Sequence, residues 1–373
     1  MTDLDVRIEG KVGNILFNFE HSFNSKGITV LYGPNGAGKS TIISAIAGFS
    51  KNLKTTITYK NIDFDGSNKV PAYKRPFGTM FQNPILFEHL KIKDNLEFAE
   101  KRKKISINVN KIIPKKELID HLDLVPLLDR YPEDLSGGEK LRVVLARTIL
   151  TKPDYLFLDE PMSEIDIRYK AKLLIFLKMI NRKYKIPILY ITHSLEEISQ
   201  IADELILINE GKKIDCGLLP DILNNKSFQS LIGKFESSSI LEGPVVSSND
   251  VLNITTLDIN GQNLIVPGKP ASQGDNVRVR IRSRDILVSP TKLISPVVEN
   301  ELEGLILKVE KECNTAFTEV VIALVNSKTR ELAQKVRARV TTYNYQKMNL
   351  NKNSKVFVYI SSVSIDRQAY QSI

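Results

Sequence analysis

Tryptophan is absent from the 373 residues, and cysteine occurs only at Cys216 and Cys313. Two cysteines so far apart, with no paired Cys or His beside them, build neither a disulfide framework nor a zinc site. That scarcity fits a reducing cytoplasm. Long apolar runs are missing too: no charge-free stretch reaches the roughly 18 residues that a membrane-spanning helix needs. The start, Met1 to Asp5, lacks the basic residues and apolar core of a secretory signal. Any membrane association is therefore expected to come through a partner. Acidic residues are outnumbered, 43 against 52 basic ones, for a formal charge of +9. That bias suits nucleic acid, an anionic membrane surface or acidic nucleotides, and does not choose among them. With 42% hydrophobic and 25% charged residues the chain has the make-up of a folded protein, and its length predicts two or three domains.

What is present changes character along the chain. Ile28–Tyr32 is a short apolar run leading into a glycine-rich loop, and Ser40–Phe49 then reads as a helix. Tyr155–Leu158 and Ile186–Thr192 read as further buried strands, with helical patterns over Glu139–Leu150 and Arg168–Tyr184. Strands alternating with helices predict an α/β domain with a largely parallel sheet. Phe87–Leu135 reads mostly helical and charged, a subdomain outside that sheet. Near residue 235 the helical periodicity stops, and Phe235–Ser239 and Ser247–Asp250 read as turns and linkers. Val277, Val279 and Ile281 then alternate with Arg278, Arg280 and Arg282, the period of a half-buried strand. Similar runs follow at Gly304–Val309, Glu319–Val325, Val336–Thr341 and Lys355–Ile360, with turn pairs such as Asn260-Gly261 between. This texture predicts a small all-β barrel.

Gly33, Pro34, Asn35, Gly36, Ala37, Gly38, Lys39 and Ser40 fit G-x-x-x-x-G-K-[ST] between an apolar strand and a helix, the context that marks a P-loop. Glycines let the backbone curl round an anion, so that several N–H groups converge on phosphate oxygens. The positive N-terminal end of the following helix adds to this. Lys39 is expected to reach the β- and γ-phosphates of ATP, and the Ser40 hydroxyl to hold Mg²⁺. Thr41 continues the same turn. At the end of the apolar run 155–158, Asp159 is placed to hold Mg²⁺ and Glu160 to activate a water aimed at the γ-phosphate. Ser136 is a good N-cap for the helix that follows. With Gly137 and Gly138 beside it, bare backbone N–H groups at a positive helix end make a second anion site.

With these parts in order, the chain resembles ABC ATPases. Leu135–Glu139 is similar to their signature motif. Gln82, in Met80-Phe-Gln-Asn-Pro84, resembles the Q-loop glutamine, which meets Mg²⁺ and the attacking water. Ser163–Asp166 stands at the D-loop, with Glu164 and Ile165 where relatives have Ala and Leu. His193 resembles the switch histidine, whereas His21, His89 and His121 match no motif. Val12 stands where many relatives stack an aromatic ring on adenine. One P-loop and one signature per chain then imply a homodimer, each signature closing over ATP on the partner's Lys39.

A barrel after the ATPase is similar to the regulatory extension of bacterial importer ATPases. Within that group Lys74–Leu90, Asp94–Leu96 and Val277–Ser289 resemble the molybdate importers. The expected order is an ABC ATPase domain with a helical subdomain at 1–232, a linker and β segment at 233–292, and an OB-like, Mop-type barrel at 293–365. The resemblance implies integral membrane permease subunits, an extracytoplasmic solute-binding protein acting indirectly, and a peripheral place on the cytoplasmic face of the inner membrane. Sulfate, iron or another solute stays open as cargo. The barrel's oxyanion motif aligns with Val297–Gly304: Asn300, Leu302 and Gly304 match, but Val297 and Glu299 replace a hydroxyl and a cation, and Ser361 a lysine. The barrel is thus expected to keep a structural or dimer role and to sense oxyanion poorly. The Lys101–Lys104 run reads as a solvated face or as a neighbour of anionic lipid. A soluble ABC ATPase acting on nucleic acid or ribosomes is the rival, but no long coiled coil or second cassette is present, and the arginine stripe lacks interleaved aromatics. No nucleic-acid partner is expected.

Overall fold

The computed structural model describes residues 2–361 apart from 68, 84, 102–112, 224, 226, 229–230, 232–236, 270, 295–297, 299, 312–314 and 328. It divides into two compact units, Met1–Ile222 and Leu223–Ile373. The first opens with β1 (Thr2–Val12) and β2 (Ile15–Asn24), an antiparallel hairpin. On β2 the residues Phe17, Phe19, His21 and Phe23 are buried and their neighbours exposed, the period of a strand with one wet face. β3 (Ile28–Tyr32) is apolar on both faces and runs into α1 (Lys39–Ala47). β4 (Leu53–Tyr59) and β5 (Ile62–Asp63) extend the hairpin side, and β6 (Phe77–Met80) forms the opposite edge.

Next come α2 (Ile92–Glu100), α3 (Lys115–His121) and α4 (Gly137–Leu150), the helical part expected from the sequence. β7 (Tyr155–Asp159), α5 (Ile167–Tyr184), β8 (Ile188–Ile191), α6 (Leu195–Ile201), β9 (Glu204–Asn209) and β10 (Lys212–Leu218) complete the unit, and α7 (Leu219–Leu223) closes it. The sheet order is β5-β4-β1-β2-β10-β9-β3-β8-β7-β6, in which β9, β3, β8, β7 and β6 are mutually parallel. β3, β7 and β8 are buried on both faces, which is why they read as mostly apolar runs. The carboxyl ends of β3, β7 and β8 lie side by side, the place where open α/β sheets bind ligands.

From Ser238 onward the described residues of the second unit are built on strands, with α8 (Thr342–Lys347) and a short 3-10 turn at Ser283–Asp285 between them. β11 (Ser238–Asn249), β12 (Ile254–Ile259), β13 (Gln262–Pro267) and β14 (Asn276–Arg282) form one antiparallel sheet, ordered β13-β12-β11-β14. β15 (Ile286–Ser289), β16 (Asn300–Lys311), β17 (Phe317–Val325), β18 (Leu332–Thr341) and β19 (Lys355–Ile360) form another, ordered β15-β19-β16-β17-β18. One apolar cluster, including Leu241, Leu264, Val279, Leu302, Ile322 and Val358, fills the space between them. This is the OB-like architecture expected.

Side-chain amides stitch the two sheets by copying a strand's own hydrogen bonds. Asn300 accepts from Ile265 N at 2.6 Å and donates to Ile265 O at 2.9 Å. Gln262 accepts from Glu303 N at 2.6 Å and donates to Glu303 O at 3.1 Å. Gln334 does the same with the backbone of Glu242, at 2.7 and 2.6 Å.

The residues expected to form turns at 238–239 and 247–249 lie instead within β11. Serine is a poor strand former because its hydroxyl competes for backbone groups. Here the hydroxyls have other partners: Ser239 accepts from Arg337 N at 2.8 Å, Ser238 from Arg280 at 3.0 Å, and Ser237 from Ser283 at 2.9 Å. Phe235 and Glu236 lie outside the described residues, as do Val297, Glu299, Cys313 and Arg102–Lys104. Leu302 is fully buried in the core, and a methyl group added at Gly304 would overlap Ile322. Lys101 pairs with Glu97 at 2.7 Å, and Arg278 with Glu242 at 2.7 Å.

Candidate functional site

The loop between β3 and α1 is shaped by close packing. A methyl group at Gly33 would overlap Ile208 O, and one at Gly38 would lie 2.6 Å from the Phe17 ring. Gly36 and Gly38 also have left-handed backbones, φ 79° and 97°, which side chains rarely adopt. Gly211 N donates to Ala37 O at 2.9 Å and ties the loop to the β9–β10 turn. Pro34, Asn35 and Gly36 are exposed, Ala37 and Lys39 buried, Ser40 exposed and Thr41 half-buried. Lys39 Nζ donates to Gly33 O at 2.9 Å and Pro34 O at 3.0 Å. Burial pulls its pKa down, while Glu160 and Asp159 pull it up. A buried ammonium beside bare backbone amides is a cradle for a polyanion.

Asp159 ends β7 and Glu160 follows with φ 48°. Glu160 N donates to Ile191 O at 3.0 Å, which fixes this strained turn against β8. Asp159 is 3% exposed. Burial holds its carboxyl above the usual range, and Glu160's charge adds to this against the Ser40 hydroxyl and Lys39. The Glu160 carboxylate receives two side chains from other loops: Gln82 Nε2 donates to Oε2 at 3.3 Å, and His193 Nδ1 lies 3.4 Å from Oε1. Lys39, Ser40, Asp159, Glu160, Gln82 and His193 therefore converge at the carboxyl ends of adjacent strands. The oxygen donors of Ser40, Asp159 and Gln82 suit a hard divalent cation such as Mg²⁺, and a cation there would relieve the buried Asp159 charge.

Ser136, Gly137 and Gly138 stand apart from this group. Ser136 caps α4: its hydroxyl accepts from Glu139 N at 3.3 Å, and Glu139 accepts from Ser136 N and Oγ at 2.8 Å. Among the described residues no hydrogen bond joins Ser136–Gly138 to residues 33–41. A methyl group at Gly137 would overlap the Glu164 carboxylate. Val12 is half-buried against the first unit's core. His89 and His121 lie against the rings of Phe87 and Phe176.

Sequence reasoning missed three residues around the site. Asn95 is fully buried. It accepts from Phe87 N at 2.9 Å and donates to Phe87 O, Leu90 O and Lys91 O, shaping the segment after Gln82. Arg147 donates to Asn95 at 3.3 Å and to Ile85 O, with its guanidinium over the Phe87 ring. Glu197 accepts from Tyr190 and Thr192 beneath His193. The only sequence signal for Glu197 is the Ser-x-x-Glu spacing from Ser194.

A phosphate-cradling loop, two acidic residues at a strand end and a capped glycine pair on a helical insert define the ATP-binding cassette of the ABC type. Residues 16–163 match the family model described as ABC transporter. The ADP conformation of an ATP-binding cassette of an ABC transporter superposes with a TM-score of 0.51 at 24% identity, covering 62% of this chain and 99% of that one. Over full length the chain is 32% identical to the molybdenum import ATP-binding protein ModC of Paramagnetospirillum magneticum, across 386 aligned residues and 100% of both chains. It is 29% identical to that of Pasteurella multocida, over 97% of this chain and 99% of the relative. The chain belongs to the family of molybdenum import ATP-binding proteins.

Proposed function

We propose that this ABC-type ATPase powers molybdate import, hydrolysing Mg·ATP as a homodimer attached to a separate membrane permease. The observation that carries the reading is the gathering of Gln82 and His193 on the Glu160 carboxylate, beside Lys39 and Asp159. Glu160 takes a proton from the attacking water, Gln82 orients that water, and His193 meets the γ-phosphate. Lys39 and the amides of residues 33–41 hold the phosphates. Ser40, Gln82 and Asp159 would hold Mg²⁺, which when bound would supply charge neutralisation for the phosphates.

Each chain has one loop of residues 33–41 and one Ser136–Gly138 segment, separated by about a hundred residues of sequence. Two copies facing one another complete two sites, each closed by the partner's helix end. Closure excludes water and finishes the catalytic arrangement in one motion. Among the described residues no helix is long and apolar enough to cross a membrane. A groove of about 380 Å³ in the first unit, lined by Phe49, Tyr73, Phe77, Phe87, Phe98 and Arg147, offers a permease helix an apolar seat. The Phe49 ring touches Phe81, one residue before Gln82, so a helix seated there acts on the catalytic loop. The first unit is the motor, and the second, ending in the Mop-like barrel at about 293–365, carries the structural or dimer role. Uptake of molybdate into proteoliposomes holding the permease and this subunit tests the reading. Uptake should require ATP and stop with Glu160→Gln, and uptake of sulfate or iron in place of molybdate would overturn the cargo.

A further inference from the structure

His193 is 65% exposed, and its polar contact among the described residues is the 3.4 Å approach to Glu160. Packing does not hold such a ring, so its position must come from the backbone that carries it. That backbone is anchored from below by one carboxylate. Glu197, on the first turn of α6, is 6% exposed, and its Oε2 accepts from Thr192 Oγ1 at 2.7 Å and Tyr190 OH at 2.8 Å. Both donors are themselves buried. Thr192 Oγ1 also accepts from Ser194 N at 3.0 Å, so the residues on both sides of His193 are fixed to the same group.

Local helix chemistry does not explain this. Ser194 and Glu197 have the Ser-x-x-Glu spacing of a capping box, and Ser194 does accept from Glu197 N at 3.3 Å. On α4 the same spacing closes into a full box, with Glu139 turned back onto Ser136. Glu197 instead turns its carboxylate inward and accepts from the strand end. A buried carboxylate is costly unless hydrogen-bonded, so this arrangement needs its donors.

The same side chain reaches the other half of the site. Its Oε1 lies 3.7 Å from Lys170 Nζ. Lys170 stands on the first turn of α5, and its N donates to Asp166 O at 3.0 Å. On the strand side, Ile191 O accepts from Glu160 N at 3.0 Å.

We propose that Glu197 is a positioning residue for hydrolysis, holding the Thr192–Ser194 segment so that His193 meets Glu160, and tying that segment to the helix behind Asp166. This deepens the reading of Glu160 and His193 above and rests on it. The test is steady-state ATP hydrolysis by the full-length chain, with rates counted per ATP-binding site and folding followed by melting. Thr192→Val and Glu197→Ala should lower kcat on the order of 10- to 100-fold, as expected for a misplaced catalytic group, with KM for ATP nearly unchanged. Glu197→Gln keeps an oxygen for both hydroxyls and should recover most of the rate. The double variant should be no worse than Glu197→Ala, because both changes cut one tether. If Glu197→Ala fails to fold, Thr192→Val and Glu197→Gln carry the test alone. Wild-type kcat in Thr192→Val, or a Glu197→Gln as impaired as Glu197→Ala, overturns the proposal. His193→Ala is the reference: an unimpaired His193→Ala would sink the reading of the site, whereas an impaired one beside a wild-type Thr192→Val sinks the positioning role alone.

Discussion

His193 Nδ1 lies 3.4 Å from Glu160 Oε1, and Gln82 holds the other oxygen of the same carboxylate at 3.3 Å. One acid thus meets a strand end, a switch loop and the loop after β6. Removing its charge while keeping its shape separates binding from chemistry. Glu160→Gln should bind ATP normally and lose about 100-fold or more in hydrolysis, the scale of a general base. Light scattering should find it dimeric only with Mg·ATP. A variant that binds ATP yet stays monomeric would mean that closure needs the permease.

Glu164 and Gly137 share one small space, since any side chain at Gly137 would meet that carboxylate. The N-terminal end of the 14-residue α4 attracts negative charge, and Glu164 supplies it from within the chain. A γ-phosphate arriving from a partner would need the same ground. Glu164→Ala should therefore let the Glu160→Gln background dimerise at lower ATP concentration. Gly137→Ala should weaken dimerisation, and the pair Gly137→Ala with Glu164→Ala should recover part of it. An unchanged ATP requirement in Glu164→Ala would show that the carboxylate leaves without cost.

The loop at Gly33 to Ser40 and the strand end at Asp159 and Glu160 were legible in the sequence because their shape is local: the loop joins an apolar strand to a helix, and the two acids close an apolar run. The barrel strands were legible where apolar and polar residues alternate, as in Val277–Arg282. β11 was not, because its first serines become good strand residues only through Arg337 and Arg280, which are 98 and 42 positions away. Glu197 was hidden for a similar reason. Its spacing advertises a cap, and only the fold shows the carboxylate turned under Thr192.

Asn300 matches an oxyanion-binding pattern in sequence, yet its amide is used on both backbone groups of Ile265. Asn300→Ala leaves that N–H and C=O unpaired and should cost about 1–3 kcal/mol of stability in the second unit, read by urea unfolding of the full chain. Molybdate titrated into the wild-type chain should give no saturable heat, since Val297 and Glu299 stand where a hydroxyl and a cation are usual. Saturable heat that disappears in Asn300→Ala would reverse this view of the barrel.

His21 sets an acid limit on the first unit. It is buried between Phe19 and Phe23 beside β9 and β10. Burial, helped by the nearby Lys213 charge, pushes its pKa from 6.5 down to about 4. The unfolded chain therefore takes up this proton first as the pH falls. The resulting stability is complete above about 6.5, is lost as the pH drops through about 4, and amounts to at most about 3 kcal/mol. Glu204, 3.7 Å from His21, is held above the usual carboxylate range by burial and acts in the opposite sense, losing its contribution as the pH rises through its folded value. The comparison with His21→Phe isolates the histidine. Calorimetric melting of the full chain should show the wild type losing more between pH 7 and pH 4.5 than the variant, which keeps an apolar ring in the same place. Parallel curves would mean that the imidazole takes up its proton equally in the folded and unfolded chain, and a wild type that loses less than the variant would mean that it is charged in the folded protein and paired with Glu204.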